Sequence, residues 1–400
     1  MTDQMTTLTE TPLLAADFYG FQSTLTPEEQ ASIGRIRAFL EEELKPIADE
    51  YWDRAETAVH LIPRFAELGV FGAAWPETRP FENSDLYRAW IALEIARVDP
   101  STCTFVGVHN GLGMTSIAVG GSEQQKAEWM GPMARGEVIG AFGLTEPGHG
   151  SDTARGLETT ATRRGDEWVL NGAKRWIGNA TFADMVIIWA RDTADDQVKG
   201  FIVRTPAIGF SATKIERKQS LRGVQNADIV LEDVVVPERD RLQRIDSFRD
   251  LAVVLRLTRA GVAWQAIGVA VGAYEAALAY AKERVQFGKS IASYQLTQEK
   301  LATALSNITA SIAMCVRLAE MEGQGEQHDE HSAMAKAYTT KLMRETVALC
   351  REIAGGNGIQ LDHGLARFFA DAEAVYTFEG TYDMNQLIVG RAITGIAAFR

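Results

Sequence analysis

The sequence changes its character at the stretch Phe142-Gly143-Leu144-Thr145-Glu146-Pro147-Gly148-His149-Gly150-Ser151-Asp152. Its glycines and its proline are typical of a turn. The residues before it follow helical patterns, with helix-capping sequences at 26–29 and 122–125. The residues after it contain short runs rich in β-branched and aromatic side chains, such as 185–190 and 228–236. The stretch therefore marks the passage from a helical part to a β part.

The C-terminal part is predicted to be helical again. Helical segments are expected near residues 247–285, 295–322, 330–354 and 384–399. Within the β part, Asn171-Gly172 predicts a type I′ hairpin turn, and residues 1 to about 24 are expected to form a loose leader. The order predicts an α+β multidomain protein. Its expected domains are an N-terminal all-α domain (1–137), a middle β-domain (138–245) and a C-terminal helical bundle (246–400).

Composition and charge narrow the class of protein. The 400 residues are 46% hydrophobic and 23% charged, as in soluble globular proteins, and the net charge of −13 disfavours nucleic acid as a partner. The three cysteines include no CxxC pair, which favours a reducing compartment and no metal site. The apolar run 261–281 contains Gln265 and Glu275, so it is expected to be a bundle helix and not a membrane span. No secretory signal is recognisable at the start, and a cytoplasmic location is expected.

A candidate base lies near the C-terminus, in Tyr376-Thr377-Phe378-Glu379-Gly380-Thr381-Tyr382-Asp383. Glu379 precedes a Gly-Thr turn and has aromatic residues on both sides. A carboxylate removed from water there would be a stronger base, which suits proton abstraction. The alternative is a solvated loop carboxylate beside an ordinary turn glycine.

Four separated stretches resemble the signatures of one family, the acyl-CoA dehydrogenases. They are residues 142–152, 174–179, 284–289, and 355–358 together with 378–381. The sequence is most similar in style to glutaryl-CoA dehydrogenases and to short-chain acyl-CoA oxidases of plant peroxisomes. The resemblance implies the family fold, FAD as cofactor, a homotetramer, and oxidation of an acyl-CoA thioester to a trans-2-enoyl-CoA with Glu379 as the base.

The resemblance also implies the roles of other residues. It assigns FAD contacts to Phe142, Leu144, Thr145, Gly150, Ser151, Trp176, Gly178, Arg284, Gln286, Phe287, Gln295, Glu352, Gly355, Gly356, Thr381 and Asp383. It assigns substrate contacts to Cys103, Ser151, Arg259 and Gly380. In the family, the residues that match 284–295 come from a neighbouring subunit. The alternatives are a core tryptophan at 176, a surface ion pair at Arg284, a solvated helix face at Arg259 and a turn without ligand at 142–152.

Two departures from family patterns bear on the substrate and the electron acceptor. Glutaryl-CoA dehydrogenases carry an arginine where this chain has Cys103, so a short, uncharged acyl-CoA is expected. Most dehydrogenases carry threonine or serine where this chain has Gly178, and the plant oxidases have the same glycine. The missing side chain is expected to leave room beside the flavin, and the alternative is a glycine required by a tight strand bend. The chain ends in Ala398-Phe399-Arg400, which is not a peroxisomal signal.

These features leave three functions open. A dehydrogenase that passes electrons to an electron-transferring flavoprotein is expected first. An oxidase that reduces O2 to H2O2 is the alternative. A CoA-binding protein without catalytic activity is the third, and the occupied base and flavin positions speak against it.

Overall fold

A computed structural model describes residues 11–398 of the chain. The first ten residues of the expected leader, and the last two of the C-terminal tripeptide, lie outside the described residues. The expectation of a loose leader is wrong for residues 11–24, because Leu14, Ala16 and Gln22 are buried. The Asp17 carboxylate accepts hydrogen bonds from the backbone N–H groups of Phe21 and Gln22, both at 2.8 Å, and thereby fixes this segment.

The N-terminal part consists of helices, as predicted. They are α1 (Pro27–Phe39), α2 (Lys45–Arg54), α3 (Ile62–Glu67), α4 (Asp85–Val98), α5 (Pro100–Val106), α6 (Thr115–Gly120) and α7 (Glu123–Ala134). Two π-helical turns, Leu40–Leu44 and Gly107–Met114, interrupt the series. The capping boxes predicted at the starts of α1 and α7 are both formed, by Thr26 with Glu29 and by Ser122 with Gln125.

Residues 140–237 form a seven-stranded sheet. Its strands are β1 (Gly140–Gly143), β2 (Thr160–Arg164), β3 (Glu167–Ile177), β4 (Met185–Asp192), β5 (Val198–Arg204), β6 (Phe210–Lys214) and β7 (Ala227–Pro237). The order is β1-β4-β2-β3-β7-β6, with β5 paired to β4. Strand β1 runs parallel to β4, and β3 runs antiparallel to both β2 and β7.

The hairpin predicted at Asn171-Gly172 is wrong, because β3 runs straight through these residues. The register against β7 shifts between Leu170 and Gly172, which makes the dipeptide an irregularity within a strand. The Asn171 side chain bonds to Asp233 on the neighbouring strand, with its amide donating to the carboxylate and its oxygen accepting from the backbone N–H. The turn that reverses the chain lies earlier, between Arg164 and Glu167.

The C-terminal part is a helical bundle followed by two short helices. Its helices are α8 (Phe248–Glu283), α9 (Gln295–Gly323), α10 (Asp329–Ile353), α11 (Leu365–Thr377) and α12 (Tyr382–Thr394), and a small hairpin, β8 (Val285–Gln286) with β9 (Lys289–Ser290), joins α8 to α9. Helix α11 was not predicted, and α12 ends at Thr394, about five residues before the expected end.

Helix α8 joins the bundle to the N-terminal helices. A Cβ atom at Gly268 would lie 2.4 Å from the carbonyl oxygen of Leu93 in α4, so only glycine permits this approach. Trp90 and Trp264 pack together beside it, with ring centroids 5.9 Å apart. Both α8 and α9 are long and apolar enough to span a membrane by length and composition, but 78% of the apolar window in α8 is buried inside the protein. Helix α8 is therefore a core helix, as predicted.

The predicted domain boundaries, near 137 and 246, fall in the connections between these groups of elements. We keep them as a proposal. The α+β architecture itself, helical then β then helical, agrees with the expectation from the sequence.

Candidate active site

Glu379 lies in the short loop between α11 and α12. Its backbone is left-handed, with φ of 52°, and Gly380 follows with φ of 85°. A residue other than glycine rarely adopts a left-handed backbone conformation, and the conformation persists only where neighbouring contacts hold it. Its Oε2 atom accepts a hydrogen bond of 2.9 Å from the hydroxyl of Thr258 in α8. The bundle therefore fixes both the backbone and the carboxylate of the candidate base.

The surroundings of Glu379 tune its acidity in two directions. Burial raises the pKa of the carboxyl group, while the Thr258 hydroxyl, the Arg259 guanidinium and the Lys336 ammonium oppose that rise. The outcome is a raised pKa. A carboxylate with a raised pKa and a fixed orientation suits the abstraction of a proton.

The loop around Glu379 is held by side chains from α10 and α12. The Nζ atom of Lys336 donates to the carbonyl oxygens of Tyr376 and Gly380, at 2.8 and 2.7 Å. The amide of Asn385 also donates to the carbonyl oxygen of Gly380, at 2.8 Å. Thr381 caps α12 by accepting from the backbone N–H of Met384, at 3.3 Å.

The structure uses Thr381 first as a helix cap, and this role is compatible with the FAD contact expected from the sequence. Asp383 lies in the first turn of α12 and is exposed. Both residues therefore lie on the loop side of the bundle, near Glu379.

Trp176 presents an oriented ring at the end of β3. Its φ is 66°, and half of the residue (50%) is exposed. The amide of Asn226 donates to the Trp176 carbonyl oxygen at 3.1 Å, and the Arg175 guanidinium lies 5.1 Å from the ring centroid. The alternative of a core tryptophan is therefore wrong, because a core tryptophan would be enclosed.

The segment from Phe142 to Thr145 lies beside Trp176. The backbone N–H of Arg175 donates to the Thr145 carbonyl oxygen at 2.8 Å, and the buried Lys174 ammonium donates to the Leu144 carbonyl oxygen at 3.2 Å. Phe142 and Leu144 point into an apolar cluster with Trp189. A backbone contact from this segment to a ligand remains open, whereas the Phe142 and Leu144 side chains are buried. Gly150 and Ser151 are exposed in the turn that follows.

The expectation that Gly178 leaves open space is wrong. A Cβ atom at this position would lie 3.2 Å from Cγ2 of Val108 and 3.6 Å from Cγ1 of Val224, so neighbouring side chains already line the glycine. A threonine here would require Val108 to move. The glycine reflects close packing between the Gly107–Met114 turn and the end of the strand.

The remaining expected FAD contacts lie at the other end of α8. Arg284 caps α8. Gln286 lies in strand β8 of the small hairpin beyond it, and Phe287 lies in the turn of that hairpin and is 96% exposed. Thr258 and Arg284 are separated by about 39 Å along the helix at 1.5 Å per residue. The residues expected to contact FAD are therefore divided between the neighbourhood of Glu379 and the far end of α8.

Further residues of this distal group surround the same end of the bundle. Gln295 begins α9, and the Glu352 carboxylate forms an ion pair with Lys300 of α9 at 2.6 Å. Cβ atoms at Gly355 and Gly356 would meet no atom within 4 Å. Asn357 links this segment to α8 through the Tyr280 hydroxyl, at 3.0 Å. The sequence-predicted contacts therefore fall into a group near Glu379 and a distal group.

The expected substrate contacts differ in their placement. Gly380 adjoins Glu379, and Arg259 follows Thr258 on α8, so both lie beside the candidate base. Cys103 is buried, with its thiol donating to the Ala92 carbonyl oxygen at 3.4 Å, and burial raises its pKa. Cys103 therefore lies on α5, and its buried, neutral thiol packs against α4.

Three residues that support the site were not predicted from the sequence: Thr258, Lys336 and Asn226. Thr258 is 121 positions from Glu379, so no local pattern joins them. For Lys336 the sequence did contain a signal. This lysine stands among the small residues Ala333, Ala335 and Ala337, whereas the other charged residues of the helix lie on its exposed side. A lysine on an alanine-rich helix face indicates a buried cation with a specific partner.

The described residues fit a bound flavin. A half-exposed indole of fixed orientation provides a surface for stacking against a planar ring. The open space at Gly150, Gly355 and Gly356 permits close approach of a ligand to the backbone. Within residues 11–398, no group of three or more His, Cys, Asp or Glu side chains is arranged to hold a metal ion.

Comparison with known sequences gives three consecutive matches. The models "Acyl-CoA dehydrogenase, N-terminal domain", "middle domain" and "C-terminal domain" match residues 26–137, 141–234 and 248–394. Together they cover most of the chain, in the order of the helical, β and helical parts.

Individual relatives match along nearly their whole length. The short-chain specific acyl-CoA dehydrogenase of Mus musculus mitochondria is 33% identical over 380 residues, covering 92% of this chain and 91% of the relative. A subunit of the caffeyl-CoA reductase-Etf complex of Acetobacterium woodii is 33% identical over 359 residues, covering 88% and 94%. The solved structure of a glutaryl-CoA dehydrogenase from Mycobacterium smegmatis in complex with FADH2 is 33% identical, covers 97% of this chain and 100% of that chain, and has a TM-score of 0.93.

Proposed function

Because this chain belongs to the acyl-CoA dehydrogenase family, we propose that Glu379 is its catalytic base and that its substrate is a short, uncharged acyl-CoA thioester. The chain is an FAD-dependent oxidoreductase of that family. The observation that carries the proposal is the fixed carboxylate of Glu379, bonded to Thr258 and raised in pKa by burial.

The reaction removes two hydrogens from adjacent carbons of the acyl chain. Glu379 takes the proton from the α carbon, and the backbone N–H of Glu379 stabilises the negative charge that develops on the thioester oxygen. A flavin held by Trp176 and the backbone at Leu144 and Thr145 would supply the acceptor for the hydride that leaves the β carbon. The Arg259 guanidinium is available to the CoA arm of the substrate, and Thr258 keeps the carboxylate oriented.

We assign the cofactor to two groups of residues. Trp176 would stack on the flavin ring, and the backbone at Leu144 and Thr145, with Ser151, Thr381 and Asp383, would contact its polar atoms. The distal group around Arg284 and Gly355 would hold the pyrophosphate and adenosine of a second copy's FAD. This assignment makes the active site dependent on assembly of at least two chains.

Exposed apolar residues support assembly into the homotetramer expected for the family. Phe287, Leu296, Ile359 and Ile393 are each more than 70% exposed in the single chain. In α9, only 33% of the apolar window is buried, although the helix is as apolar as α8. Such surfaces normally lie against a partner. We therefore propose a homotetramer. A cytoplasmic location is proposed separately, from the expectation that the sequence gives.

The preference for an uncharged acyl group rests on Cys103. A buried thiol with a raised pKa is neutral and cannot pair with the distal carboxylate of glutaryl-CoA, and an unpaired buried carboxylate costs several kcal/mol. We expect butyryl-CoA to bleach the flavin under anaerobic conditions at least about a hundredfold faster than glutaryl-CoA does. Equal bleaching by the two thioesters would contradict the substrate assignment, and no bleaching by any of a panel of acyl-CoA chain lengths would contradict the function itself.

For the electron acceptor, we propose an electron-transferring flavoprotein. Two considerations support it: the A. woodii relative is a subunit of a complex named for such a partner, and the glycine at 178 does not open space for oxygen. The alternative expected from Gly178, reduction of O2 to H2O2, loses its support, because neighbouring side chains already line this glycine.

A further inference from the structure

Lys336 is a buried cation in the wall behind the catalytic loop. The residue is fully buried on α10, where its neighbours Ala333, Ala337 and Thr340 are also buried. An ammonium group removed from water is costly unless its protons are bonded and its charge is balanced. A lysine at such a position therefore requires specific partners.

Its hydrogen bonds fall on both sides of Glu379. Nζ donates to the carbonyl oxygen of Tyr376, in the last turn of α11, at 2.8 Å, and to that of Gly380, directly after Glu379, at 2.7 Å. The Tyr376 carbonyl group belongs to a helix end, where carbonyl groups have no partner within the helix. Lys336 thus ties the end of α11 to the residue that follows the base. Because Glu379 lies between the two anchors, this bridge fixes its left-handed backbone.

The charge of Lys336 acts on the same carboxylate. The groups that act on the Glu379 carboxyl are Thr258 and Arg259 from α8 and Lys336 from α10. The titratable residues nearest to it in the chain, on the flanking helices, are Tyr376 of α11, whose ring stacks on that of Tyr382, and Tyr382 and Asp383 of α12. Among all these groups, Arg259 and Lys336 are the cations that favour the ionised form of Glu379. Lys336 is the one whose charge changes near neutral pH, since burial lowers its pKa to about 8, against the opposing effect of Glu379.

We propose that Lys336 is a positioning residue for the reaction: it clamps the loop that carries Glu379 and supplies positive charge beside the carboxylate. The proposal rests on the proposed role of Glu379 as base. The hydrogen bonds and the charge of Lys336 can be separated by changing the pH. The neutral amine has lost its charge but still has two N–H donors for the two carbonyl oxygens. Above pH 8 the clamp persists while the charge is lost.

The test compares Lys336→Met with Lys341→Met, which removes an exposed lysine from the same helix. Flavin reduction by butyryl-CoA is followed from pH 5.5 to pH 9.5. For Lys336→Met we expect the acidic limb of the rate profile to move to higher pH, with a loss of about tenfold or more at pH 6.5 and a smaller loss above pH 8. Lys341→Met is expected to follow the wild-type profile.

A readout that needs no substrate separates this proposal from the proposed function. The titration of the Glu379 carboxyl group is followed by pH-difference infrared spectroscopy, and its band is assigned by its loss in Glu379→Gln. We expect the band to titrate at higher pH in Lys336→Met than in the wild type. If Glu379→Gln stays active, the proposed function fails, yet the infrared shift still reports on Lys336.

Should Lys336→Met fail to fold, Lys336→Gln provides the same comparison. Glutamine is smaller than lysine, carries amide donors and has no charge, so it fits the buried site and should shift the acidic limb in the same direction. A folded, FAD-containing Lys336 variant with an unchanged acidic limb and an unchanged infrared titration would overturn the proposal.

Discussion

The hydroxyl of Thr258 donates a hydrogen bond of 2.9 Å to Oε2 of Glu379. Valine has the same shape as threonine, so this hydrogen bond can be removed without a change of shape. Thr258→Val keeps the volume but removes a hydrogen bond to a carboxylate, which favours the protonated form of Glu379 and raises its pKa. We expect flavin reduction by butyryl-CoA to fall about tenfold at pH 6.5 and to recover as the pH rises. Stopped-flow absorbance measures the rate, and Thr303→Val, at an exposed position on α9, is the control. A uniform loss at every pH would contradict this role.

At the scale of single residues, local patterns pointed to the candidate site residues but not to the residues that hold them in place. Glu379 and Trp176 stand in local signatures, so a pattern of a few residues reveals them. Thr258 is 121 positions from its partner, and Lys336 is 44 positions from Gly380. Contacts of this range arise only when helices pack, and no single stretch encodes them.

At the scale of elements, the end of β3 carries the residues that we propose to lie beside the flavin. Gly178 is lined by Val108 and Val224, so the strand end packs against the Gly107–Met114 turn without a gap. We therefore expect butyryl-CoA turnover in air, without an added acceptor, to release far less than one H2O2 per thioester oxidised. A peroxidase-coupled assay measures this ratio, with ferrocenium as the acceptor in a parallel reaction. A ratio near one at a fast steady rate would identify an oxidase, and Gly178→Thr should then reduce it.

The error within β3 has a physical origin. Asn171-Gly172 is a strong hairpin signal in isolation, because both residues tolerate a positive φ. In the folded chain, Asn171 instead bonds to Asp233 of β7, and the pairing of β3 with β7 continues on both sides of it. Long-range pairing of strands thus outweighed a local preference. The long helices were predicted within a few residues because their periodic patterns extend over many turns.

At the scale of the whole molecule, Asp371 joins the three parts of the chain. Its Oδ1 atom accepts from Nε1 of Trp52 in α2 and from the backbone N–H of Leu221 near the sheet, at 2.8 and 2.6 Å. Its Oδ2 atom is buried without a hydrogen-bond partner among the described residues. Burial raises the pKa of this carboxyl group to about 7, although the Trp52 indole and the Arg367 guanidinium oppose the rise.

The raised pKa of Asp371 predicts the direction in which stability changes with pH. In the unfolded chain Asp371 loses its proton near its ordinary pKa, whereas the folded chain keeps the proton up to about pH 7, so this group costs stability as the pH rises between the two values. Asp371→Asn keeps an oxygen acceptor and removes the titration. We expect the unfolding free energy of the variant, relative to the wild type, to increase by more than about 1 kcal/mol from pH 5 to pH 8. Urea unfolding at a fixed protein concentration measures it, and a constant or falling difference would contradict the assignment.

The assembly of subunits could be expected from the sequence only through the family resemblance. What the structure adds is the separation of about 39 Å along α8 between Thr258 and Arg284. In the assembly proposed above, the exposed Phe287 and the open backbone at Gly355 would form half of a site on each copy. The residues of this half-site are not enclosed by apolar side chains of their own chain. The sequence alone therefore does not distinguish them from residues of a solvated surface.

The central claim, that Glu379 is the base, is tested most directly by flavin reduction in a single turnover. Purified wild-type protein and Glu379→Gln, both loaded with FAD and matched in thermal unfolding, are mixed with butyryl-CoA without oxygen, and the loss of flavin absorbance is recorded. We expect the variant to bind the thioester and to reduce its flavin at least about a thousandfold more slowly, because an amide cannot take the α proton. A variant that keeps a tenth or more of the wild-type rate would contradict the claim.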